Sequence, residues 1–157
     1  MTPADDETRL AAFSIPLHDL LGLEFATPEA GATTAEVRMP VRREACGPTG
    51  ALHGGAIATM VDFASALAAV RASNFDAATE SLITVDLHLR YLGRPHTSTV
   101  VARAEVVKVG AQLIVVECRV TDDDGHLVAT GDFSMMKVPR RHPLLPGTEP
   151  TTGAPEL

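Results

Sequence analysis

A chain of 157 residues, 45% hydrophobic and 21% charged, carries enough apolar material for one core; it is not a disordered chain, and it is too short for several domains. A net charge of −7 repels a phosphate backbone, and with no tryptophan and one tyrosine there are few rings for bases to stack on, so no nucleic-acid partner is expected. The two cysteines, Cys46 and Cys118, read as reduced thiols rather than as a structural staple.

The first residues, Met1 to Asp6, are polar and acidic and lack the basic and apolar stretches of a secretory signal, so a cytoplasmic location is expected. Residues 7 to 21 place Leu10, Phe13, Leu17 and Leu21 at helical spacing, and Pro16 is expected to end or kink that helix. From Ala32 the run TTAEVRMPV alternates as a strand does, and REACGPTG follows as a Gly- and Pro-rich loop. Gly54 to about Ser73 then reads as a helix with Ile57, Met60, Val61, Ala64 and Ala68 in one apolar stripe. Its other side (Ala58, Thr59, Ser65, Ala66, Ala69) is only weakly polar, which marks it as the core helix. The window Ala51 to Val70 has the length of a membrane span, but His53, Asp62 and the glycine pair argue against insertion, and no membrane partner is expected.

Four β segments rich in Val, Ile and Thr come next: Leu82 to Leu92, Thr99 to Val109, Gln112 to Thr121 and Leu127 to Val138. Asp124-Gly125 between the last two is a hairpin signal, and short connections imply antiparallel pairing. The chain therefore divides into an N-terminal segment (1–31), an α+β domain (32–138) and a Pro-rich tail (139–157) expected to be loose. Its plan is a curved antiparallel sheet of about five strands around one long helix.

Chemistry concentrates at Leu52-His53-Gly54-Gly55, where two glycines open the helix. The first N–H groups of a helix have no internal partner and sit at its positive end, so an uncovered one can hold an oxyanion. The plainer alternative is that Gly54 and Gly55 merely permit a tight turn. Asp62 is the only carboxylate between Glu44 and Asp76, and its neighbours Met60, Val61, Phe63 and Ala64 are apolar. An ionised carboxylate there needs a structural partner or a wet cavity, and residue types alone do not choose between them. At 1.5 Å per residue, the eight residues from Gly54 to Asp62 span about 12 Å of helix axis. One carbonyl cannot touch both. If both act on one carbonyl group, the amide comes from one subunit and the carboxylate from another, across a two-fold axis.

The string HGGAIATMVD resembles the signature of the hotdog-fold thioesterases of the PaaI-like and 4-hydroxybenzoyl-coenzyme A type, and Thr84 to Leu92 resembles their strand after the central helix. The similarity runs from about Thr33 to Lys137. It implies a hotdog fold and hydrolysis of an acyl- or aroyl-coenzyme A by a homodimer or a dimer of dimers, with coenzyme A as part of the substrate and no separate cofactor. It makes the Gly54 N–H the oxyanion donor and Asp62 the group that activates water or attacks the carbonyl, with Thr84 orienting the water. His53 would stabilise the loop or polarise the thioester, and Gly55 and Met60 would contact substrate. No histidine pair has metal-ligand spacing, and no metal is expected. Coenzyme A phosphates call for a local basic patch, for which Arg90 and Lys108 are the chosen candidates among Arg94, Arg103, Lys137, Arg140 and Arg141. Simple alternation puts Asp86, His88 and Arg90 on the side of Thr84, opposite Val85, Leu87 and Leu89. One departure stands out: where many family members carry Asn or Gln, six residues before His53, this chain has Gly47. Cys46 or Thr49 could substitute; otherwise turnover is slower, or the chain is a non-catalytic acyl-coenzyme A binder or sensor.

Overall fold

The computed structural model describes residues 15–26, 29–76 and 78–140. They run as α1 (Pro16–Leu21), β1 (Glu24–Phe25), β2 (Thr34–Pro40), a single 3-10 turn (Arg43–Ala45), α2 (Gly54–Ala72), β3 (Glu80–Tyr91), β4 (Thr99–Val109), β5 (Leu113–Asp122) and β6 (Leu127–Pro139). Residues 7–14 of the expected first helix and the tail beyond 140 lie outside the described residues. Pro16 does not end α1; it opens it, because its ring fixes a helical φ and its missing N–H falls where a helix has no acceptor to offer.

All the strands join one six-stranded antiparallel sheet in the order β1-β2-β4-β5-β6-β3. The sixth strand, the two-residue β1, is too short to carry an alternation signal in the sequence. After α2 the chain crosses to the far edge of the sheet, so β3 pairs only with β6 and its other side is left open.

Period-two alternation selects the face that meets α2: Ala35, Val37 and Met39 from β2, and Ile114, Val116, Cys118 and Val120 from β5, all point inward. They close around Met60, Val61, Ala64, Leu67 and Ala68, and the sheet curls about the helix. Met60, Leu67 and Phe133 are completely enclosed, each contributing about 1.5–3 kcal/mol relative to an exposed side chain. Although α2 is long and apolar enough to span a membrane by length and composition, most of its residues are buried against this sheet.

Asp122 ties two connections together. Its carboxylate accepts the backbone N–H groups of His96 (2.7 Å), His126 (2.9 Å) and Asp124 (3.1 Å). Those donors, the His96 amide foremost, hold its pKa below the ordinary carboxylate value.

Candidate active site

The alternation expected along β3 fails at one residue. Val85 has no partner on β6; the register slips between Thr84 and Asp86, forming a β-bulge. Ahead of the bulge Leu82 and Thr84 face α2, and beyond it Leu87, Leu89 and Tyr91 do. Asp86, His88 and Arg90 therefore lie on the opposite face from Thr84, and the shared side expected for them is corrected. Thr84 reaches the helix of its own protomer because the bulge flips the parity.

Its hydroxyl Oγ1 donates to Asp62 Oδ1 over 2.9 Å. Asp62 sits half-buried on the strip of α2 that the sheet leaves uncovered, with Ala58, Thr59 and Ala66. Its second oxygen has no partner among the described residues, which leaves an acceptor available to a water. The lone aspartate of the apolar helix thus has one bond that orients it and one oxygen to spare.

At the head of α2, His53 is the N-cap, and its Nδ1 accepts the Gly55 N–H over 2.9 Å. Gly55 is therefore engaged, whereas the Gly54 N–H has no acceptor among the described residues. No acidic residue stands in the first turn to neutralise the positive end of the helix. The Tyr91 hydroxyl donates to the Gly54 carbonyl over 3.0 Å, and its ring Cζ lies 3.2 Å from where a Cβ on Gly54 would stand. Such a side chain would crowd the ring, so glycine is what lets Tyr91 seat here.

The remaining expected site residues separate from this pair. Met60, expected against substrate, is a fully enclosed core residue, since helical spacing aligns it with Ile57, Val61 and Ala64 against the sheet. Arg90 lies on the outer face of the sheet, 3.8 Å from Asp132. A second bulge, between Val106 and Lys108, pairs Lys108 with Val115 on that same outer face. Neither cation meets Gly54 or Asp62 within one protomer. Gly47 presents its missing side chain toward His53, where a Cβ would stand 3.5 Å from Cδ2, so an ordinary side chain would fit. Tyr91 was not among the expected site residues. Its only signal was being the chain's one tyrosine, at the end of a strand whose bulge hid the face it shares with Thr84. Among the described residues no group of His, Cys, Asp and Glu could hold a metal ion.

A curled antiparallel sheet around one long helix, entered through paired glycines, is the hotdog fold of thioesterases. The model of the thioesterase superfamily matches residues 49–129, which span the glycine pair, α2 and most of the sheet. A protein of Halobacterium salinarum named as a candidate esterase is 34% identical over 121 residues, covering 74% of this chain and 79% of that protein. The 1,4-dihydroxy-2-naphthoyl-CoA hydrolase of Listeria monocytogenes is 26% identical over 112 residues, covering 71% of this chain and 87% of the relative. A Pseudomonas aeruginosa thioesterase, solved in a mutant form, superposes with a TM-score of 0.76 at 25% identity, over 89% of this chain and 97% of that one. The chain belongs to the thioesterase superfamily, and its fold and relatives support thioester hydrolysis as its general chemistry.

Proposed function

We propose that the protein hydrolyses acyl- or aroyl-coenzyme A to the free acid and coenzyme A. The observation that carries this reading is the pair of prepared groups on α2: a Gly54 N–H without an acceptor at the positive end, and Asp62 oriented by Thr84 with one oxygen free. In the general-base form, Asp62 takes a proton from water as the oxygen adds to the thioester carbonyl, and the carbonyl oxygen gains charge against the Gly54 N–H. Collapse of the tetrahedral adduct breaks the C–S bond and expels the coenzyme A thiolate. In the nucleophilic form the Asp62 carboxylate adds first and the C–S bond breaks to expel the coenzyme A thiolate, giving a mixed anhydride that water cleaves to the free acid and the restored Asp62 carboxylate.

The two groups are about 12 Å apart along one helix, so the reading requires a second copy. The open edge of β3, with Ile83, Val85 and Leu92 exposed along it, supports edge-to-edge pairing of two sheets. Coenzyme A then enters as substrate rather than cofactor, its phosphates held by cations such as Arg90 and Lys108 of one copy or the other. Two free thiols fit a reducing, cytoplasmic setting.

The test is thiol release from a panel of acyl-, aryl- and hydroxyacyl-coenzyme A substrates by the wild type and Asp62→Asn. The expected result is turnover in the wild type and at least about a hundredfold loss in the variant, with oligomeric state and melting temperature retained. Near-native turnover in Asp62→Asn would remove Asp62 from the chemistry. Gly47 favours a second reading, an acyl-coenzyme A binder without turnover; binding in calorimetry with no thiol released by the wild type would select it.

A further inference from the structure

The peptide between Gly54 and Gly55 is held at both ends. Its carbonyl accepts the Tyr91 hydroxyl at 3.0 Å, and its N–H is taken by His53 Nδ1 at 2.9 Å. A glycine on each side gives the backbone here more freedom than any other residue pair would, and these two side chains remove it. The group they leave uncommitted is the neighbouring Gly54 N–H. Tyr91 arrives from β3, the strand that also delivers Thr84 to Asp62, so one strand addresses both prepared groups of the helix.

We infer that Tyr91 is a positioning residue: by gripping the Gly54 carbonyl, beside the His53 hold on the Gly55 N–H, it fixes the Gly54–Gly55 plane and with it ψ at Gly54, and so narrows the freedom of the preceding His53–Gly54 peptide, which carries the Gly54 N–H. The inference rests on the thioesterase reading for its consequence in turnover. Its structural half stands without that reading. A donor aimed at a developing oxyanion stabilises the transition state only while its direction is fixed beforehand; if it must be found during the reaction, the reorganisation is added to the barrier. Tyr91 never touches the carbonyl carbon in this scheme, and the substrate's ground-state contacts do not depend on it.

The test is Tyr91→Phe in the full chain, which keeps the ring over Gly54 and removes only the donor. Because the side chain is 54% exposed, the variant is expected to fold and to melt close to the wild type. Its kcat should fall about tenfold with KM within about twofold, and the amide resonances of Gly54 and Gly55 should shift and exchange faster with solvent. An unchanged kcat in an active enzyme overturns the inference, as does a rise in KM at constant kcat, which would make Tyr91 a substrate contact. Should the wild type release no thiol from any substrate, the thioesterase reading fails by itself. The amide resonances then decide the clamp: movement in Tyr91→Phe upholds it, and unmoved signals overturn it.

Discussion

At the scale of single residues, identity is set by what each group must meet. Cys118 and Cys46 are the same chemical group in different surroundings. Cys118 points into the core at 2% exposure, and burial pushes its thiol up to about 12, whereas Cys46 sits partly exposed in the loop before the glycine pair. The reactive form is the thiolate, and at pH 8 a thiol of pKa near 12 supplies almost none of it. In the native protein one thiol, Cys46, should react quickly with a disulfide reagent, and Cys118 should react only once denaturant is added. Cys46→Ser should leave no fast-reacting thiol, and rapid labelling in that variant would show that the core opens around Cys118. The same substitution removes the background from assays that follow released coenzyme A.

At the scale of elements, much of the plan was legible because it depends on local patterns. The apolar stripe of α2 and the Val-, Ile- and Thr-rich runs of β3 to β6 are periodic, and the structure keeps their boundaries within about two residues. Asp62 and the glycine pair could be singled out because each breaks such a pattern. What could not be read is what one unpaired residue does to all that follow it. The bulge at Val85 reverses which face Thr84 shares with the rest of β3, and it depends on pairing with β6, a strand more than forty residues away in the chain. Met60 was misplaced for a related reason: residues on a helix apolar on every side are sorted into core and site only by the sheet that covers them. Deleting Val85 should restore regular alternation. With Val85 gone, Thr84 stands directly before Asp86, and alternation keeps Leu82 and Thr84 on the α2 face with Leu87, Leu89 and Tyr91. Thr84 therefore stays on Asp62 and Leu82 in the core, and only the local bend of the bulge is lost. The expected outcome is a folded protein whose turnover stays within about threefold of the wild type. A loss of about tenfold or more in the deletion would show that the bend itself, and not only the face it sets, positions Thr84 against Asp62.

At the scale of the whole molecule, the fold separates two groups that the proposed reaction needs together. α2 is one continuous helix from Gly54 to Ala72, so no side-chain adjustment closes about 12 Å between the Gly54 amide and Asp62. Two copies related by a two-fold axis create two sites, each taking the amide from one copy and the carboxylate from the other. This arrangement is tested by complementation. Asp62→Asn removes the carboxylate. G54P removes the N–H at the first helical position, where proline is otherwise well tolerated, although its ring must displace Tyr91. Each variant alone should be inactive. In a mixed dimer one site inherits both defects and the other inherits neither, so random mixing of equal amounts should return about a quarter of wild-type turnover. A site completed within one protomer would return none, because every protomer then carries one defect. Dilution supplies the control: if the site is shared, turnover per protomer must fall as the dimer dissociates, and the restored activity must fall with it.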